Sequence, residues 1–121
     1  MIKLLFVDDE EGLCGYLKGL FNSRGYHVFI ASGSKEALTI VKKEKPNLIF
    51  LDIRMLGMSG LELLKEIKKL DDKAKVNMLT VQDDEKTRQE AKILGADEFI
   101  AKPFISDFLE EIVRKQVSVL V

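Results

Sequence analysis

Five short apolar runs alternate along this chain with stretches whose apolar residues recur every three or four positions, and that alternation restricts the fold more than any other feature. The runs Leu4-Leu5-Phe6-Val7 and Leu48-Ile49-Phe50-Leu51 have no polar residue at alternate positions, as strands buried on both faces do not. A parallel sheet covered by helices on both sides, an α/β domain, follows. With 121 residues, 46% of them hydrophobic, and no Gly/Ser-rich or Pro-rich linker, the chain reads as one core.

Strand one is expected over Ile2 to Val7, followed by a helix with Leu13, Leu17, Leu20 and Phe21 on one face and a stop near Gly25. Strand two, Tyr26 to Ala31, leads to Ser34 as N-cap of a helix carrying Ala37, Leu38 and Val41. Pro46 opens strand three, which ends at Asp52. The loop from Ile53 to Gly60 contains Gly57 and Gly60, and Leu63, Leu64, Ile67 and Leu70 line the next helix. Strand four is Val76 to Thr80. Asp83 to Leu94 reads as a mostly polar, loosely held helix anchored by Ala91, Ile93 and Leu94 and ended by Gly95. Strand five, Glu98 to Ala101, runs into Lys102-Pro103, and Phe108, Leu109, Ile112 and Val113 give the last helix its buried face.

The first and third runs both end on charge, at Asp8-Asp9-Glu10 and at Asp52. Two carboxylates about 5 Å apart repel by about 3 kcal/mol at an effective dielectric of ~20. Such a cluster persists beside something that offsets it, a hard divalent cation with oxygen ligands or a nearby ammonium. Open parallel sheets bind ligands beyond the carboxyl ends of their strands, where Asp8, Asp9, Asp52, Thr80 and Lys102 would converge.

Composition narrows the function classes. Nineteen basic against twenty acidic residues give a formal charge of -1 with no long basic block, which argues against direct nucleic acid binding. No apolar stretch approaches the ~20 residues of a membrane span, and the N-terminus returns to charge by Asp8, too early for a signal peptide. A cytoplasmic protein is expected. Cys14, the one cysteine, cannot form an intramolecular disulfide and reads as a small buried helix residue. His27, single within a strand, reads as structural.

The acidic pair Asp8-Asp9, then Asp52, Thr80 and Lys102-Pro103 in this order and spacing, with the stretches Asp52-Ile53-Arg54-Met55 and Gly95 to Phe104, resemble the receiver domains of two-component response regulators over nearly the whole chain. The resemblance implies a single receiver domain over residues 1–121, a doubly wound (βα)5 flavodoxin-like three-layer sandwich with parallel strand order 2-1-3-4-5. It implies that Asp52 accepts a phosphoryl group from a sensor histidine kinase or phosphotransfer protein in a reaction dependent on magnesium or manganese. Asp9 and Asp52 would hold the metal directly, Asp8 through a water, and Arg54 by its backbone carbonyl, its side chain taking no part. Lys102 would neutralise the transferred oxygens. Thr80 and the aromatic Phe99 would switch a surface around helix four, strand five and helix five toward a downstream effector or output domain. Beyond its own phosphorylation and dephosphorylation, no enzymatic turnover is implied.

Several positions depart from the family's usual pattern. Leu56 stands where proline is common, and Val81 replaces a residue that is usually small, so its bulk is expected to narrow access to Asp52. Arg54, Val81 and Gln82 are expected to tune rates. Met55 and Met58 read as gap fillers. A haloacid-dehalogenase-type phosphatase would want an acid where Arg54 stands, and a flavodoxin-like flavin carrier would not place Asp8-Asp9-Glu10-Glu11 at its phosphate turn. The remaining rival is a receiver-like interaction module that is not phosphorylated. The apolar tail Val117, Val119, Leu120 and Val121 is compatible with packing on the sheet edge, a homodimer contact or the start of a linker.

Overall fold

The apolar runs form five parallel strands in the order β2-β1-β3-β4-β5: β1 (Lys3–Val7), β2 (His27–Ala31), β3 (Leu48–Asp52), β4 (Lys75–Thr80) and β5 (Glu98–Ala101). Each strand but the last is followed by a crossover helix and β5 by the C-terminal one: α1 (Glu11–Ser23), α2 (Ser34–Glu44), α3 (Gly60–Leu70), α4 (Glu85–Ile93) and α5 (Ser106–Ser118). This computed structural model describes residues 1–55, 57–81 and 84–120. Leu56, Gln82, Asp83 and Val121, all named in the sequence reading, lie outside the described residues.

The absence of alternation in the runs has a direct geometric meaning. Successive strand side chains point to opposite faces. Leu5, Val7, Ile49, Leu51, Val76 and Met78 therefore build one core against α2, α3 and α4. Leu4, Phe6, Leu48, Phe50 and Leu79 build the other against α1 and α5. In the second layer the Phe6 ring stacks on Phe50 at 4.9 Å and on Phe21 of α1 at 5.7 Å. The expected doubly wound α/β sandwich is the observed one.

Local expectations fail where an apolar residue was assigned to the wrong side of a helix. Ile93 is 83% exposed, whereas Ala91 is buried and Leu94 packs on the core as expected, and Thr87 joins them on the buried side of α4. Phe108 is half-exposed while Gln116 joins Leu109, Ile112 and Val113 on the buried face of α5. Leu70, at the end of α3, is also largely exposed. Ser34 is the first residue of α2 and Gly33 its N-cap, and the Glu36 carboxylate accepts from the Ser32 backbone N–H at 2.8 Å. The last helix runs through Val117 and Ser118, so the tail begins inside it. His27 is exposed at the edge of the sheet, its ring 4.4 Å from that of Phe29.

One polar pair crosses the second core. Asn77 of β4 and Gln116 of α5 donate amide hydrogens to each other's carbonyl oxygens at 2.9 and 2.7 Å, in a site where Asn77 is fully buried. Removing one partner strands the other's donors and acceptors without water. Asn77→Leu or Gln116→Leu alone is expected to lose about 1–3 kcal/mol in urea unfolding, whereas the double variant recovers most of that loss.

Candidate functional site

The carboxyl ends of β1, β3, β4 and β5 open on one edge, and the chemistry converges there. Asp8 follows β1 and Asp52 closes β3. Each carboxylate folds back to accept the backbone N–H two residues on, Asp8 from Glu10 and Asp52 from Arg54, both at 3.0 Å. These turns fix both carboxylates at the sheet edge, where a short polar side chain commonly bonds its own backbone. Asp8, Asp9 and Asp52 each bring one oxygen within 4.8 Å of the others. Asp8 and Asp52 are buried, while Asp9 is exposed.

Lys102 lies between the two buried acids. Its backbone N–H continues the sheet by donating to the Thr80 carbonyl at 2.8 Å. Its ammonium donates to Asp8 at 2.5 Å and to Asp52 at 3.3 Å, with Glu10 at 3.7 Å. Burial alone would lower the Lys102 pKa, but the hydrogen bond and charge of Asp8, then those of Asp52, hold it above its ordinary value. Burial raises the Asp52 carboxyl above the usual range, against the opposing Arg54 N–H and the Lys102 charge. As pH rises through that raised value, Asp52 becomes a charge the metal-free fold accommodates poorly. Beside them Cys14 is buried, its thiol held 3.4 Å from the Asp8 carbonyl and pushed up to about 11 by burial and then by the Asp8 charge.

Thr80 is fully buried at the end of β4, one residue beyond Leu79, the register partner of Asp52. Phe99 does not join this group. It sits two residues before Ala101, the register partner of Thr80, half-buried against the α2, α3 and α4 side of the core. Arg54 is exposed. Val81 is also 64% exposed and lines a hollow with Glu10, Leu13, Lys102, Pro103 and Phe104.

Glu10 and Gly60, to which the sequence alone gives no site role, stand beside the cluster. Glu10 was visible as the third acid of the run after β1. Gly60 was visible only as a loop residue, yet its backbone N–H donates to the Ile53 carbonyl at 2.9 Å directly behind Asp52.

Comparison with known proteins agrees with this arrangement. The family model for the response regulator receiver domain matches residues 4–114. The chain is 41% identical over 113 residues to sporulation initiation phosphotransferase F of Bacillus subtilis, covering 93% of this chain and 91% of that protein. It is 37% identical over 102 residues to the alkaline phosphatase synthesis transcriptional regulatory protein PhoP of the same organism, covering 84% of this chain but 42% of that one. The structure superimposes with a TM-score of 0.84 and 36% identity on the response regulator TrrA of Thermotoga maritima in complex with Mg2+-BeF, covering 96% and 99% of the two chains.

Proposed function

Since the chain belongs to the response regulator receiver domain family, we propose that residues 1–121 form one phosphoacceptor domain in which Asp52 is the phosphorylated residue. The convergence of Asp8, Asp9, Asp52 and Lys102 at the carboxyl edge carries this reading. An Asp52 carboxylate oxygen attacks phosphorus, the bond from phosphorus to the donor's imidazole nitrogen or acyl oxygen breaks, and the electron pair leaves with the donor. The Lys102 ammonium, already directed at Asp52, balances charge on the transferred oxygens with no proton transfer. The Thr80 hydroxyl donates to a phosphoryl oxygen once the group is in place. Hydrolysis of its own aspartyl phosphate is the only turnover assigned to the domain.

The oxygen-only donor set of the acidic cluster fits a hard cation, magnesium or manganese. Asp9, Asp52 and the Arg54 backbone carbonyl would hold it, with Asp8 acting through a water. When bound it supplies positive charge that offsets repulsion between the carboxylates and the incoming phosphoryl group.

The donor is a sensor histidine kinase or phosphotransfer protein, and the receiver of the signal is an effector or an attached output domain. Similarity to a phosphotransferase and to a transcriptional regulator supports both halves of that assignment. A formal charge of -1 supports a domain that does not itself contact nucleic acid. No helix among the described residues is long and apolar enough to cross a membrane, in keeping with a cytoplasmic site of action.

Incubation with acetyl phosphate and saturating magnesium should add the mass of one phosphoryl group, mapped to Asp52 and absent from Asp52→Asn. A folded wild-type protein that gains no mass with any phosphodonor would favour the unphosphorylated interaction module. Val81 stands exposed in the hollow that Lys102 also lines, where its branched side chain would crowd an approaching donor. Val81→Ala should therefore speed labelling about three-fold, ~0.7 kcal/mol of barrier. An unchanged or slower rate would refute the steric argument.

A further inference from the structure

The structure assigns to Arg88 the task of holding Phe99 in its resting place: we infer that this α4 residue is a positioning residue that sets how readily the aromatic turns inward. The inference rests on Asp52 as phosphoacceptor and on the resemblance to receiver domains, which implies that Thr80 and Phe99 switch together, with Phe99 turning inward toward the space that Thr80 vacates. The Arg88 guanidinium carbon lies 4.8 Å from the centroid of the Phe99 ring, within the range at which a cation is drawn to an aromatic face. The two residues come from separate elements and meet across a groove between α4 and β5, also lined by Glu85, Gln89 and Lys92.

The start of α4 is fixed, so Arg88 arrives at a defined position. The Asp84 carboxylate caps the helix by accepting from the Thr87 backbone N–H at 2.8 Å and from the Thr87 hydroxyl at 2.9 Å. Thr87 is buried, and Arg88 follows it directly. Phe99 is thus held between the core it partly packs against and the guanidinium.

The register of β4 and β5 defines where the ring goes when released. Phe99 pairs with Met78 and Ala101 with Thr80, and the side chains of 99 and 101 lie on one face of the sheet. Thr80 lies diagonally across from Phe99 on that face, with Met78 opposite the ring and the small side chain of Ala101 opposite Thr80. A contact made in the outward state alone lowers the inward population by its own free energy. With the inward state as the one competent to accept the phosphoryl group, the observed rate scales with its population, so the same contact slows acceptance.

The test uses the whole chain with Arg88→Met, which keeps length and removes charge, and Arg88→Lys, each also in a Phe99→Leu background. In metal-free, donor-free protein, NMR cross-peaks between the Phe99 ring and the Thr80 and Ala101 methyl groups should strengthen in the order wild type, Arg88→Lys, Arg88→Met. Labelling by acetyl phosphate with magnesium should rise about two- to five-fold in Arg88→Met, and Arg88→Met should have no effect once Phe99 is leucine. Unchanged cross-peaks, or an equal rate gain in the Phe99→Leu background, would overturn the inference. A wild-type protein that takes up no phosphoryl group would overturn the function reading instead, while the cross-peaks of the metal-free protein still decide the role of Arg88.

Discussion

Gly60→Ala is expected to destabilise the protein by about 3 kcal/mol or more and to slow phosphoryl uptake by whatever protein remains folded. A β-carbon at Gly60 would collide with the Asp52 carbonyl oxygen and stand 2.6 Å from the Ile53 α-carbon. Both are backbone atoms, so no side chain can rotate away. The start of α3 is itself pinned, by Ser59 accepting from the Glu62 N–H at 3.2 Å and by the Gly60 N–H on the Ile53 carbonyl. Relief must come from shifting the end of β3, which carries Asp52. Gly15 is the control, since a β-carbon there on the exposed face of α1 meets nothing within 4 Å. Gly15→Ala should gain about 0.5–1 kcal/mol. Denaturant midpoints and acetyl phosphate labelling rates of the two variants would check the contrast. A Gly60→Ala protein as stable as wild type would mean that α3 rides more loosely on β3 than these distances allow.

The strands were legible because a doubly buried strand needs an unbroken apolar run, and Leu4 to Val7 and Leu48 to Leu51 can be little else. The positions of Asp8 and Asp52 came with them, as the first charges after those runs. Helix faces were less legible, because spacing reports a period without its phase. Thr87 and Ala91 lie four apart on the buried side of α4, and Ile93, two residues further, is turned by ~200° toward solvent. Phe108 fails for the same reason, one residue ahead of the Leu109, Ile112, Val113 and Gln116 face. Gly60 and the Asn77–Gln116 pair were not legible at all. Their meaning depends on which distant backbone or amide the fold brings against them, and local pattern does not encode that. Lys102 lies between, since spacing placed it at the right edge but only the packed sheet sets it between Asp8 and Asp52.

That placement gives Lys102 two opposing effects, and Lys102→Met should separate them. Methionine keeps much of the length and packing while removing the charge. Phosphoryl transfer to Asp52 should fall by about 10²–10³-fold, the typical effect of losing one preorganised group that stabilises developing negative charge. Magnesium affinity of the free protein should move the other way, because the ammonium and a divalent cation compete for the same carboxylates and Asp8 is released from its 2.5 Å bond. Metal-free stability at neutral pH should drop by about 3 kcal/mol, as expected when one partner of a buried ion pair is removed. The sign of its pH dependence follows from Asp52. Its folded pKa is already raised by burial, so its contribution is present below the unfolded value and is lost as pH rises through the folded one. Without Lys102 the folded value climbs further, and the loss extends toward neutrality. Thermal melts of the metal-free variant should therefore fall more steeply than wild type from acid to neutral pH, with magnesium restoring the difference. A variant that transfers slowly, binds magnesium no better and melts with the wild-type pH profile would show that Lys102 faces the donor and leaves the acids uncoupled.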